Sequence, residues 1–284
     1  MKFVKFVLSL FAISLLSQAP IAADECKVKN VNSGISYTDL QTAINDANPG
    51  ETLKVGCKCV GNFFIDKTLI IKGSGEKSIL DGAQAGTVVT IGCNPVEEQE
   101  GFGPIVVVLK YLTIQNGKSS SNGGGVINNN ATVILDHVNI CANAADCNGG
   151  GVYTNGGTTI LTRSEVESNC AENGGGFFFD NCSTAILTHA YIAKNYAKCN
   201  GGGIYQTGSD TLVSINLSEI EKNTASRDGG GAYNAGYTAS FSETSISDNC
   251  AGDTGGGVYN SSGAELNLIE TSFDDNKPND LIDF

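Results

Sequence analysis

Residues 147–155 read CNGGGVYTN, in which three consecutive glycines precede an aliphatic and then an aromatic residue. Glycine loses more backbone entropy on folding than any other residue, so one isolated triplet would indicate a flexible linker. The triplet instead recurs at intervals of 25 to 28 residues. A period of this size, held over six copies, indicates a repeat architecture. The triplets begin at Gly123, Gly149, Gly174, Gly201, Gly229 and Gly255.

Two other kinds of residue recur with the same period. An apolar-x-x-Asn motif stands before five of the triplets and once after the last, and we expect its asparagines to hydrogen-bond to one another as a ladder. Five residues before the apolar position of that motif stands another apolar residue, which we expect to lie in the core. The asparagines are Asn143, Asn169, Asn195, Asn223, Asn249 and Asn276. The apolar residues are Leu109, Leu135, Leu161, Leu187, Ile215, Phe241 and Leu268.

Within each copy, apolar and polar residues alternate over short runs such as ATVILDHV (131–138), which is the period of a β-strand. Copies of this length are too short to bury their own apolar face, so they must stack and share a core. Equivalent residues in the same order make neighbouring strands parallel, about 4.8 Å apart. The sequence therefore predicts an all-β, single-stranded right-handed parallel β-helix. We expect each triplet, with the Asn or Asp before it, to form a sharp corner that uses left-handed backbone.

The paired motif resembles the repeat of a known group of proteins. Over residues 105–276, [I/F]-x-x-N followed by G-G-aliphatic-aliphatic/Tyr is similar to the repeat of the polymorphic outer-membrane proteins and related β-helix proteins of the pectin-lyase-like superfamily. The resemblance implies the fold. It does not imply one activity, because that superfamily includes lyases, hydrolases, adhesins and inert surface proteins.

The N-terminal part divides into two predicted segments. Residues 1–23 combine two lysines, an apolar run and small residues, which is typical of a secretory signal peptide. Residues 24–104 are predicted to form an N-terminal cap and irregular first turns, ahead of regular repeats over 105–284. The cap is a short amphipathic helix whose apolar positions include Leu40 and Ile44. We therefore expect a secreted or cell-surface protein, periplasmic if retained, with no transmembrane segment.

The charge of the chain limits the classes of partner, and its cysteine content predicts disulfides. Without the predicted signal peptide, the chain contains 15 basic and 30 acidic residues. This negative charge argues against nucleic acid and anionic lipid as partners. It also disfavours an anionic polysaccharide, unless a divalent cation bridges the two. All ten cysteines follow the signal peptide, and an even number in an exported protein predicts disulfides, although the pairing does not follow from sequence. No motif indicates a metal site or a cofactor, and calcium in particular has no repeat to hold it.

Three outward-facing sets of residues are candidate sites. The residue after each triplet is expected to point inward, so its successor points outward and forms an aromatic column. This column is either a platform for sugar rings or a protein partner, or a ladder in which the rings only stabilise one another. The column comprises Ile127, Tyr153, Phe178, Tyr205, Tyr233 and Tyr259.

The second set is ionisable and places His137, Arg163 and His189 on consecutive turns. A lyase needs a base and a cation that stabilises enolate-like charge, and these three residues are the catalytic candidates. The third set is acidic, since Glu219, Glu221 and Asp248 offer carboxylate pairs of the kind used in glycoside hydrolysis. Solvated surface charge, which also keeps open sheet edges from pairing, is the favoured explanation of these residues.

The predicted function is a non-enzymatic rod that binds carbohydrate or a surface protein along a strand face. The alternative is a polysaccharide lyase or glycoside hydrolase of the pectin-lyase-like type. Short connections between turns favour the rod, because an enzyme needs a walled cleft. Only the acidic stretch 94–104 is long enough to form a loop beside the coil.

Overall fold

The computed structural model describes residues 26–75, 77–92 and 104–284. The predicted signal peptide lies outside these residues, as does the acidic stretch up to residue 103. The described chain is a parallel β-solenoid, and its one helix, α1 (Leu40–Asp46), lies near the N-terminus. The predicted fold class is therefore confirmed.

The strands of the first turns are short. They are β1 (Val28–Asn30), β2 (Ser36–Tyr37), β3 (Thr52–Val55), β4 (Lys58–Val60), β5 (Phe63–Ile65), β6 (Leu69–Gly73), β7 (Ile79–Asp81) and β8 (Val89–Gly92).

The repeating part begins with ten-residue strands that later divide in two. Its first strands are β9 (Val106–Gln115), β10 (Lys118–Ser119), β11 (Val126–Asn129), β12 (Thr132–Cys141), β13 (Ala144–Ala145), β14 (Val152–Asn155), β15 (Thr158–Glu167), β16 (Cys170–Ala171), β17 (Phe177–Asp180), β18 (Thr184–Ala193), β19 (Tyr196–Ala197) and β20 (Ile204–Thr207). The remaining strands are β21 (Leu212–Asn216), β22 (Glu219–Glu221), β23 (Thr224–Ala225), β24 (Ala232–Ala235), β25 (Thr238–Ser242), β26 (Ser245–Ser247), β27 (Cys250–Ala251), β28 (Val258–Asn260), β29 (Glu265–Ile269), β30 (Ser272–Asp274) and β31 (Leu281–Asp283).

Three sheets form the sides of the coil. The long sheet has 16 strands in the order β2-β1-β3-β6-β9-β12-β15-β18-β21-β25-β29, with β4, β7, β22, β26 and β30 beside this path. A second sheet of nine strands, which follows the triplets, runs from β5 to β31, and a third contains six two-residue strands from β10 to β27. Neighbouring strands are parallel throughout the three sheets, except that β1 is antiparallel to both β2 and β3.

The predicted core column is stacked in register. Leu135 pairs with Leu109 on one side and Leu161 on the other, and both neighbours are fully buried. Each such side chain contributes about 1.5–3 kcal/mol relative to an exposed one. Leu268, the last member, is 38% exposed because β29 is the final strand of the long sheet.

Helix α1 covers the N-terminal end of this core. Its N-cap residue Asp39 accepts a hydrogen bond from the backbone N–H of Thr42 at 2.7 Å. Leu40, Ala43 and Ile44 are buried, as the apolar stripe predicts. Among the described residues, no helix has the length and apolar character needed to cross a membrane.

The glycine triplets are required at a corner where successive turns approach closely. The first glycine of each triplet has φ between 63° and 67°, as at Gly149. A Cβ on the middle glycine, Gly150, would lie 2.5 Å from the carbonyl oxygens of both Cys170 and Gly175. Only the glycine has left-handed backbone, because the preceding Asn148 has no positive φ. The expectation that the Asn or Asp before each triplet shares the left-handed backbone is therefore wrong.

The disulfide prediction holds for one pair only. Cys26 is bonded to Cys59, and seven other described cysteines are unpaired; Cys93 lies outside the described residues. The register of the turns explains why Cys147 and Cys199 do not pair with each other. They occupy the same column two turns apart, on either side of Glu172. Two steps of about 4.8 Å exceed the Cα separation that a disulfide spans. The unpaired residues are Cys57, Cys141, Cys147, Cys170, Cys182, Cys199 and Cys250.

Candidate functional site

The ionisable column lies at a bend in the long sheet that the sequence did not reveal. Tyr111, His137, Arg163 and His189 all have positive φ, between 46° and 56°. Side chains other than glycine rarely adopt this conformation, and here it recurs in the middle of each ten-residue strand. The bend turns these four side chains outward, and each is largely exposed or half-buried.

Two of the three catalytic candidates line one surface groove. The groove has a volume of about 440 Å³, and His137 and Arg163 line it, whereas His189 does not. Its other lining residues are Gly75, Ser78, Tyr111, Leu112, Thr113, Val138, Asn139 and Glu165. The structure therefore brings the first two candidates together and leaves the third outside.

Polar contacts hold the groove side chains in place. Asp136 Oδ1 lies 2.9 Å from His137 Nδ1 and 3.4 Å from an Nη of Arg163. The His137 ring also stacks on Tyr111 with a centroid distance of 4.9 Å. One carboxylate thus contacts both an imidazole and a guanidinium, so that a ring nitrogen able to hydrogen-bond and a cation lie side by side at the groove.

The groove also contains an unsatisfied acceptor. Oδ1 of Asn139 is buried and accepts no hydrogen bond from any described residue. A buried polar atom without a partner costs about 1–3 kcal/mol.

The acidic candidates lie further along the same sheet and are partly neutralised. Tyr191 donates a hydrogen bond to Glu221 Oε1 at 2.5 Å, which raises the pKa of Tyr191 to about 12. The same contact, together with Lys222 at 2.9 Å, lowers the pKa of Glu221. Lys194 pairs with Glu167 at 3.2 Å. These ion pairs are exposed and each contributes little to stability.

The aromatic column forms a continuous stack. Phe178, Tyr205, Tyr233 and Tyr259 lie face to face, with centroid distances of 4.7–5.0 Å and interplanar angles of 2–9°. Tyr153 extends the stack at one end at 5.6 Å. Burial, followed by the neighbouring Tyr205 and Tyr259, raises the pKa of Tyr233 to about 12.

This stacking limits how the column can meet a ligand. The faces of the inner rings contact each other, so a sugar ring can approach only their edges and hydroxyl groups. Tyr153 and Phe178 are buried, at only 9% and 5% exposure, although neither belongs to the main hydrophobic cluster inside the coil. The ladder interpretation is geometrically satisfied, and the ligand-binding role of the column stays a prediction.

The described residues contain no group of three or more His, Cys, Asp or Glu side chains that could hold a metal ion. No known protein family and no curated protein sequence matches the chain. The stacked repeat fold is established by the structure, and the assignment to the polymorphic outer-membrane protein repeat or the pectin-lyase-like superfamily stays a prediction.

Sequence reasoning missed one set of charged residues. Lys29, Lys54, Lys72 and Lys110 occupy one outward column in neighbouring strands of the long sheet. Their separations in sequence, 25, 18 and 38 residues, share no period, so no repeat motif links them. Only the strand register places them together.

Proposed function

We propose that this protein is a secreted or cell-surface rod that binds carbohydrate, or a surface protein, along the outer face of the long sheet. The supporting observation is the groove at Tyr111, His137 and Arg163, whose polar and aromatic side chains Asp136 holds in place. The groove opens onto a sheet whose outward side chains repeat in register over successive turns. A repeated array of this kind suits an extended ligand, as in other solenoids.

Binding to a glycan array tests the proposal. Arg163→Gln and Tyr111→Ala should each weaken retention of the groove ligand at least about tenfold, the loss expected for a charge-assisted contact or a stacking surface. Arg227→Gln is the matched control, since Arg227 is an exposed arginine 3.9 Å from Asp253 and outside the groove. No retention of the unmodified protein on any glycan or protein array would contradict the proposal.

The aromatic column is tested on the same array. Replacing Tyr205 and Tyr233 together by alanine should reduce retention if the ring edges and hydroxyls contact the ligand. Tyr237→Ala, at a side chain 54% exposed outside the stack, is the control. Unchanged retention in a folded double variant would limit the column to a stabilising ladder.

A polysaccharide lyase or glycoside hydrolase is the second candidate, and the Asp136–His137–Arg163 arrangement favours it. His137 would remove the proton α to a carboxylate, and Arg163 would stabilise the resulting charge. A polysaccharide panel followed for unsaturated products and for reducing ends tests this directly. Turnover that disappears in His137→Ala and Arg163→Ala would replace the binding function by catalysis.

A further inference from the structure

Four lysines in the first turns form one column of like charges on the long sheet. Lys29 pairs in register with Lys54, Lys54 with Lys72, and Lys72 with Lys110. Adjacent strands place successive Cα atoms about 5 Å apart, so each ammonium group has like-charged neighbours. Like charges directly opposite each other on a sheet are destabilising.

No carboxylate of the described residues compensates this repulsion. The described ion pairs of the first turns comprise only Lys58 with Asp81, and neither belongs to the column. Lys72 instead lies 5.7 Å from the ring centroid of Tyr111, at the edge of the groove. A row of cations that no described carboxylate pairs with is suited to an anionic ligand.

The column connects two depressions in the surface. A cavity of about 350 Å³ at its N-terminal end is lined by Lys27, Lys29 and Lys54, with Ser36, Tyr37, Thr38 and Ser74 among its other residues. Its other end reaches Lys110, next to Tyr111 in the groove. We call Lys27, Lys29, Lys54, Lys72 and Lys110 the lysine tract.

The net charge of the whole chain conceals this tract. Residues 26–118 contain nine lysines and nine acidic residues, whereas residues 119–284 contain six basic and 19 acidic residues. The basic and acidic residues of 26–118 are therefore equal in number, and the excess of acidic residues lies in 119–284. Residues 119–284 alone account for the net charge of −13, and the lysine tract lies outside them.

We propose that the lysine tract binds a sulfated polysaccharide, an inference that rests on the glycan-binding function proposed above. Residues 26–118 contain no arginine, and lysine acts as a point charge rather than as the bidentate fork that matches a carboxylate. Sulfate groups along a polysaccharide suit such a row of point charges. Hydroxyl groups of Ser36, Thr38 and Ser74 lie in the adjoining cavity, where sugar hydroxyls find partners.

Binding of the full-length mature protein to immobilised dextran sulfate, neutral dextran and polygalacturonate tests this assignment. The protein should bind dextran sulfate, and Lys54→Gln with Lys72→Gln should weaken it at least tenfold. Lys54→Arg with Lys72→Arg should retain binding. Four ionic contacts also predict a loss of roughly 50-fold between 50 and 200 mM salt, by analogy with single-stranded polyanions.

The matched control removes the same charge elsewhere on the long sheet. Lys194→Gln with Lys222→Gln eliminates two lysines that already pair with Glu167 and Glu221, so binding should be unchanged. Equal losses in both double variants, no binding to dextran sulfate, or tighter binding to polygalacturonate or to single-stranded DNA would each overturn the assignment. Retention on neutral glycans without dextran sulfate binding would overturn it and leave the proposed function standing. No retention on any glycan would contradict the glycan-binding function as well.

Discussion

Asn195 accepts two hydrogen bonds from Asn169 in the preceding turn, one from its side-chain Nδ2 at 3.1 Å and one from its backbone N–H at 3.0 Å. Asn195 in turn donates from its own Nδ2 to the carbonyl oxygen of Val166 and to Oδ1 of Asn223. The same pattern continues from Asn143 to Asn276. The ladder therefore satisfies buried polar groups and fixes the vertical register of the coil.

Asn195→Ala should lower the free energy of unfolding by roughly 2–5 kcal/mol, because it leaves a buried backbone N–H and a buried amide of Asn169 without their acceptor. Chemical denaturation measures the change. Asn216→Ala is the control, since Asn216 is half-buried and its side chain makes one bond, to Ser214. A ladder variant no less stable than this control would show that the asparagines are not structural.

Gly150→Ala should destabilise the coil by roughly 1–3 kcal/mol or more, since its Cβ would lie 2.5 Å from two carbonyl oxygens of the next turn. Gly75→Ala is the matched control, because its Cβ would meet no atom within 4 Å and its φ is not positive. Comparable melting temperatures for the two variants would contradict the close approach of successive turns.

The aromatic stack predicts a loss of stability at alkaline pH. The pKa of Tyr233 is raised to about 12 in the folded protein, against about 10 in an unfolded chain, so the folded state retains the phenolic proton more tightly. The resulting stabilisation is complete below pH 10 and is lost as the pH rises from about 10 to 12. Denaturation curves at pH 9, 10 and 11 should show this decline, and Tyr233→Phe should reduce its steepness. A decline identical in the variant would place its origin elsewhere.

Unpaired thiols should be detectable without reduction. Alkylation followed by peptide mass spectrometry should recover Cys26 and Cys59 as a linked pair and should modify Cys147 and Cys250 rapidly. Cys170 should react more slowly, because burial raises the pKa of its thiol. A native disulfide between Cys147 and Cys199 would contradict the register of the turns.

The repeating part of the fold was predictable because its columns are spaced by one period. Asn143 and Asn169 are separated by 26 residues and lie in adjacent turns, and the core leucines follow the same rule. The same arithmetic applied to Cys147 and Cys199, 52 residues apart, would have placed them two turns apart and argued against pairing.

The candidate site was predictable only in part. Sequence spacing placed His137 and Arg163 on consecutive turns, yet their left-handed backbone and the shared contact with Asp136 depend on a bend that no residue type announces. The lysine tract was not predictable at all, because the early strands are separated by unequal segments and β1 runs antiparallel. The strand register of irregular turns does not follow from sequence spacing, and that register determines which charged side chains lie next to each other.

Distances between spin labels along one column test the stacked coil most directly. Labels attached independently of thiols can be placed at Thr132 paired with Thr184, Thr238 or Glu265, which lie two, four and five strands away in the long sheet. Pulsed electron resonance should then give distances that grow by about 5 Å for each intervening strand. Distances that fail to increase with strand number would contradict the register on which the ladder, the groove and the lysine tract all depend.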